Sequence, residues 1–193
     1  MNTENAQQNV EITAVPTPNP NTVKFLINRI FLEKGSIDFS TIESAKGSLL
    51  AEKLFEIKGV SSVFIGSNFI SISKNKDAGW EEVLDPATKY LKILLADHSL
   101  ELIAPELIEK AQVQIHDDSD TVRKIKEILD QEIRPAIAMD GGDCQFHSFE
   151  NGIVRLQLQG ACSTCPSSVM TLKMGIENRL KEEIPEVEEV VQI

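Results

Sequence analysis

The segment Gly160-Ala-Cys-Ser-Thr-Cys-Pro-Ser-Ser168 constrains this chain more than any other. Ahead of it, Val154, Leu156 and Leu158 alternate with Arg155, Gln157 and Gln159, the period of a half-buried strand. Behind it, residues 166–183 read as a helix opened by Pro166 and closed before Pro185. The segment must therefore turn a strand into a helix within a few residues, with Cys162 and Cys165 at the turn. If Pro166 is the first helical residue, Cys165 takes the N-cap position, where unpaired N–H groups and the helix dipole favour a thiolate. The small neighbours Gly160, Ala161, Ser163 and Thr164 leave backbone amides able to approach a ligand. Only three cysteines occur in 193 residues, the third being Cys144.

The surrounding pattern predicts an α+β protein of two small α/β sandwich-like domains, residues 10–97 and 118–193, joined by a linker at 98–117. The second has the order α-β-β-α-β. Its first helix spans Thr121–Ile133 and ends near Pro135. Asn151-Gly152 between alternating segments is a hairpin turn. In the first domain, Glu11–Val15 and Val23–Asn28 read as strands, the latter with Val23, Phe25 and Ile27 on one face. Val60–Ile65 and Phe69–Ser73 form a hairpin, and a helix over Ser48–Ile57 stops at Gly59. Trp80–Leu95 has helical spacing, with a break or a late start expected at Pro86. Residues 1–9 are polar and read as disordered.

Composition removes several functions. Net charge is −11, and each half of the chain is acidic, which leaves no positive field for nucleic acid. No apolar run nears the roughly 18 residues that cross a bilayer. The first 20 residues lack a basic start, an apolar core, and any Arg or Lys, so they suggest neither a secretory signal nor a mitochondrial presequence. The expected compartment is bacterial cytoplasm or, for a processed eukaryotic chain, the mitochondrial matrix, where thiols stay reduced. No Ser–His–Asp or paired-carboxylate arrangement stands out, so an enzyme is not expected. Asp140-Gly-Gly-Asp143 reads as a tight turn whose carboxylates cap or orient it.

Three chemistries fit the cysteine pair. Two copies of the pair across a twofold axis supply the four thiolates of an iron–sulfur cluster, holding a homodimer together. A strand–Cys-x-x-Cys–helix context also suits a thioredoxin-like thiol–disulfide exchanger, although little β structure follows the motif. Cys144, His147, Cys162 and Cys165 together have the spacing of a structural zinc site, although Cys144 and His147 should point to opposite faces of a strand.

Ile133-Arg-Pro135, Asp140-Gly-Gly-Asp143, the segment Leu158–Ser168, Thr171–Glu177 and Ile184-Pro-Glu-Val187 closely resemble the NifU-like C-terminal domain of Nfu-type proteins. Thr17-Pro-Asn-Pro-Asn-Thr22, followed by Val23-Lys-Phe25, is similar to the Nfu N-terminal domain. The resemblance implies an iron–sulfur cluster scaffold or carrier, not an enzyme. Cys162 and Cys165 would ligate a [4Fe–4S] cluster bridged between two chains, although four thiolates also suit [2Fe–2S]. Its partners would be a second copy of the chain, the cluster-assembly machinery and apo iron–sulfur clients, with no nucleic acid and no membrane. Family members usually carry an apolar residue where this chain has Cys144. For the N-terminal domain the expectation is client docking.

Overall fold

The computed structural model describes residues 10–112, 119–163 and 166–193, so Cys165 and residues 1–9 lie outside the described residues. The first sheet contains β1 (Ile12–Pro16), β2 (Thr22–Ile27), β3 (Ile37–Phe39), β4 (Val60–Ile65) and β5 (Phe69–Lys74), in the order β1-β2-β5-β4-β3 and antiparallel throughout. Phe25 and Ile27 of β2, Val63 and Ile65 of β4, and Ile70 and Ile72 of β5 all point to one face. That face is covered by α1 (Leu49–Phe55) and α2 (Trp80–Ala96), which contribute Leu50, Leu54, Leu91 and Leu95. Buried Ser48 caps α1, accepting from the Ala51 N–H at 3.2 Å and donating to the Leu102 carbonyl at 3.2 Å. Leu102 and Ile103 join the same core, and α3 (Pro105–Gln112) follows them.

The opposite face of this sheet is polar but not wet. The alternate positions of β2 and β5 carry Thr22, Lys24, Ser71 and Ser73, all buried. Lys24 pairs with Ser71 in register. What covers them comes from the far end of the chain.

The second sheet contains β6 (Gly142–Glu150), β7 (Ile153–Gly160) and β8 (Glu189–Gln192), in the order β6-β7-β8. The β6–β7 hairpin turns at Asn151 (φ 51°) and Gly152 (φ 79°), two left-handed residues as a type I′ turn requires. β8 pairs parallel to β7, so the chain must cross over between them, and α6 (Pro166–Glu183) makes that crossing. Together with α4 (Asp120–Ile128) and α5 (Arg134–Met139), these elements enclose a second core built on Ile125, Leu129, Val154, Leu156, Ile176 and Leu180.

Two proline expectations are corrected. Pro86 lies inside an unbroken α2, flanked by fully buried Val83, Ala87 and Leu91. The packing of that stripe outweighs the roughly 3 kcal/mol that an interior proline costs. Nor does the first helix of the second unit end near Pro135. The chain widens into a π turn over Leu129–Ile133, with the Arg134 N–H bonded to the Leu129 carbonyl, and continues as α5 to Met139. The wider turn makes room for the proline ring, which would otherwise strike the carbonyl four residues earlier.

Candidate functional site

The site is built on glycines. Gly160 ends β7 with φ 63°, a left-handed conformation that turns the chain sharply toward Cys162. A Cβ there would lie 2.7 Å from the Gly141 carbonyl oxygen and 2.9 Å from Cγ of Phe64. At Gly142 a Cβ would lie 2.6 Å from the Gln159 carbonyl oxygen and 2.8 Å from the Cys162 sulfur. The Cys162 side chain thus rests on the bare Cα of Gly142, and Cys162 is only 4% exposed. The Ala161 N–H donates to the Gly141 carbonyl at 3.1 Å, so the 140–143 turn and the cysteine segment are stitched together.

An ion pair fixes that turn. Arg134 Nε and Nη2 donate to Asp143 Oδ1 and Oδ2 at 2.8 and 2.6 Å, and Nη1 donates to Asp130 at 2.9 Å. Asp143 Oδ1 also accepts the Cys144 N–H at 2.8 Å, as expected of a carboxylate that orients its own turn. The hydrogen-bonded Asp143 carboxylate holds the Arg134 guanidinium above its ordinary range, so the charge is permanent. Burial, aided by the Asp143 charge, pushes the Cys144 thiol up to about 12. Cys144 is therefore a protonated core residue at neutral pH, packed in the second core.

His147 is exposed, on the far side of β6, where a bulge between Phe146 and Ser148 interrupts the register. The chain does not bring it to Cys144, and no group of three metal-ligating side chains forms among the described residues. A thioredoxin-like arrangement is likewise not what surrounds Cys162, since its sheet has three strands with one parallel pair.

The polar face of the first sheet closes over this turn. Asn19 Nδ2 donates to the Ala161 carbonyl at 3.0 Å, and Ser71 Oγ donates to the Gly141 carbonyl at 2.6 Å. Asp38 Oδ1 accepts the Gly160 N–H at 3.2 Å, and Ser36 Oγ donates to Asp143 Oδ2 at 2.6 Å. Lys24 Nζ donates to the Ala138 carbonyl at 2.6 Å, at the C-terminal end of α5. Burial pulls the Lys24 pKa down while Asp140 pulls it up; burial pushes the Asp38 pKa up against the Gly160 N–H. None of these residues stands out in the sequence as a site residue. The one available signal is Thr17-Pro-Asn-Pro-Asn-Thr22, where Thr17 Oγ1 bonds the Thr22 carbonyl at 2.9 Å and closes a turn that carries Asn19.

Residues 125–191 match the family model described as NifU-like domain, and residues 12–98 match the one described as Scaffold protein Nfu/NifU N terminal. The chain is 44% identical over 188 residues to the Drosophila ananassae protein named NFU1 iron-sulfur cluster scaffold homolog, mitochondrial, covering 96% of this chain and 65% of that one. The human protein of the same name is 43% identical over 178 residues, covering 92% of this chain and 69% of the relative. NifU-like protein 4, mitochondrial, of Arabidopsis thaliana is 42% identical over 180 residues, covering 91% and 63%. The chain thus spans about two thirds of the length of these relatives.

Proposed function

Since the chain belongs to the Nfu/NifU family of iron–sulfur cluster scaffolds, which are not enzymes, we propose that it carries a [4Fe–4S] cluster as cargo, held between two copies of the chain by Cys162 and Cys165, and passes it to apo-proteins. The observation that carries this reading is the placement of Cys162 on the turn between β7 and α6, against the bare Cα of Gly142. A cluster needs room for inorganic sulfide beside its cysteine ligands, and a turn lined by Gly141, Gly142, Gly160 and Ala161 has little side-chain bulk. Four thiolates complete one cluster, and two chains supply them.

Transfer then proceeds by ligand exchange without oxidation or reduction. A client thiol gives up its proton and binds iron, and the displaced Cys162 or Cys165 thiolate takes a proton. Repetition moves the cluster, and the two carrier chains separate. Cys144, neutral and packed in the second core, takes no part. The compartment is one that keeps thiols reduced: mitochondria, as the names of the relatives suggest, or bacterial cytoplasm. No helix among the described residues is long and apolar enough to cross a membrane.

Iron, acid-labile sulfide and zinc per chain, measured after anaerobic reconstitution, test the proposal. About two iron and two sulfide per chain are expected for one [4Fe–4S] per pair of chains. About one zinc without sulfide would replace the proposal with a structural metal site.

A further inference from the structure

The chain has four methionines, and the three beyond Met1 are all exposed: Met139 at 78%, Met170 at 65% and Met174 at 58%. Methionine is among the residue types most often buried, so three outward in one unit need a reason. Met170 and Met174 lie about one turn apart on α6, on the side away from Leu172, Ile176 and Leu180, which pack in the second core. The helix is thus apolar on two sides. No other two exposed large apolar side chains stand one turn apart on a single helix among the described residues. Gly175, next to Met174, has open space where a Cβ would stand. Glycine weakens the interior of a helix, and a close approach by another backbone is one use that offsets this.

We infer that the outward face of α6 at Met170 and Met174 packs on a second copy of this chain. The inference rests on the carrier reading given above and assigns the surface on which that pair forms. Sharing one cluster between two chains brings together the segments that follow Cys165. Met170 comes five residues later in the sequence, roughly 8 Å of helix and less than one helix diameter. A partner bound to the same cluster is therefore within reach of its side chain.

Charge favours a copy of the chain at this face. A net charge of −11 makes two copies repel over most of their surface. Residues 160–176 hold no Asp or Glu and a single Lys, so they can meet their equivalents at low electrostatic cost. That lysine, Lys173, is already paired with Glu189 at 3.3 Å. Area sets the strength. Two methionines and a glycine per chain cover far less than the roughly 800 Å² per partner of a stable complex. The face alone therefore pairs weakly and reversibly, and the cluster thiolates hold together what the methionines align. An unbranched, polarisable side chain suits a contact that must form and part repeatedly.

Sedimentation equilibrium of the full chain, metal-free and reduced, at about 1 mM tests the surface. The parent should associate reversibly. Raising sodium chloride from about 0.05 to 0.5 M should tighten the pairing, because screening removes like-charge repulsion and leaves the apolar contact. Met170→Glu with Met174→Glu should weaken association at least about tenfold, and Met170→Leu with Met174→Leu should preserve it. Ile93→Glu makes the same change at an exposed residue of α2 and should leave pairing unaltered. All three positions are exposed, and far-UV circular dichroism checks that each variant folds. After reconstitution, the double glutamate variant should lose iron on dilution at least about tenfold faster than the parent. Chains that stay monomeric at every salt concentration, or that pair equally well with both glutamates, would overturn the surface. Equal weakening by Ile93→Glu would overturn it too, by making net charge the cause. A chain that pairs through positions 170 and 174 but takes zinc without sulfide refutes only the cluster reading. A two-iron load with pairing indifferent to both glutamates refutes only the surface.

Discussion

The sulfur of Cys162 lies 2.8 Å from where a Cβ at position 142 would stand. No side chain fits between them, and the Gln159 carbonyl oxygen, 2.6 Å from the same point, belongs to backbone that cannot swing aside. Gly142→Ala should therefore displace the Cys162 side chain and strain the β6–β7 pairing together. The expected loss is roughly 1–3 kcal/mol, the range for overpacking a close-packed site. Urea denaturation would read the stability, and iron per chain after reconstitution would read the displaced thiol; both should fall.

The three cysteines should separate cleanly. Cys162→Ala or Cys165→Ala abolishes cluster retention and leaves the fold intact, as judged by far-UV circular dichroism and iron content. Cys144→Val replaces a buried neutral thiol with a side chain of similar size. It should change stability by less than about 1.5 kcal/mol and leave iron content unaltered. Equal iron loss in all three variants would make Cys144 a ligand.

Arg134→Met leaves the Asp143 carboxylate in a site it cannot easily rehydrate. Asp143 is buried and Arg134 is about one quarter exposed, so the loss should be roughly 2–4 kcal/mol, below the full value for a completely buried pair. Arg134→Lys should recover only part of it, since one ammonium cannot make the two parallel bonds of the guanidinium. Thermal melting of the three proteins gives the ranking directly.

Acid should loosen the second unit through two carboxylates. Glu177 accepts from Lys181 Nζ at 2.6 Å and from the Val190 N–H at 3.0 Å, and these bonds hold it below its ordinary value of 4.5. Glu132 is lowered in the same direction by Arg179. A carboxylate lowered by folding stabilises the protein above its unfolded pKa, and that contribution disappears as the pH falls through the folded value. The melting temperature should therefore be flat above about pH 5 and drop below 4.5. Glu177→Gln should melt lower at pH 7 and show a shallower acid decline.

Alternation in residues 153–159 and the prolines bracketing 166–183 made the strand–turn–helix around Cys162 legible. The Asn151-Gly152 turn fixed the hairpin, because two left-handed residues in sequence have few other uses. The π turn was not legible. It answers a collision between the Pro135 ring and a carbonyl one turn back, and spacing alone does not say whether a helix breaks or widens there. Pro86 misled for the same reason, since the fit of Val83, Ala87 and Leu91 against the sheet decides the outcome. Least legible was the role of Lys24, Asp38 and Ser71. Polar residues alternating with Phe25, Ile70 and Ile72 read as a solvent face, and only the return of residues 138–162 to that face shows otherwise.

The separation of the two cores also has a consequence for how the chain is made. Every residue of the first core lies at or before Ile103, and the second begins at Ile125. On a ribosome working from the N-terminus, the first sheet can finish folding before any cysteine has been synthesised. Its outer face, with Phe64 and Ser71 in place, is then a waiting receptor for the nascent turn at Gly160. Cys162 itself is covered later, when Ile176, Leu180 and Val190 have emerged and the second core closes around it.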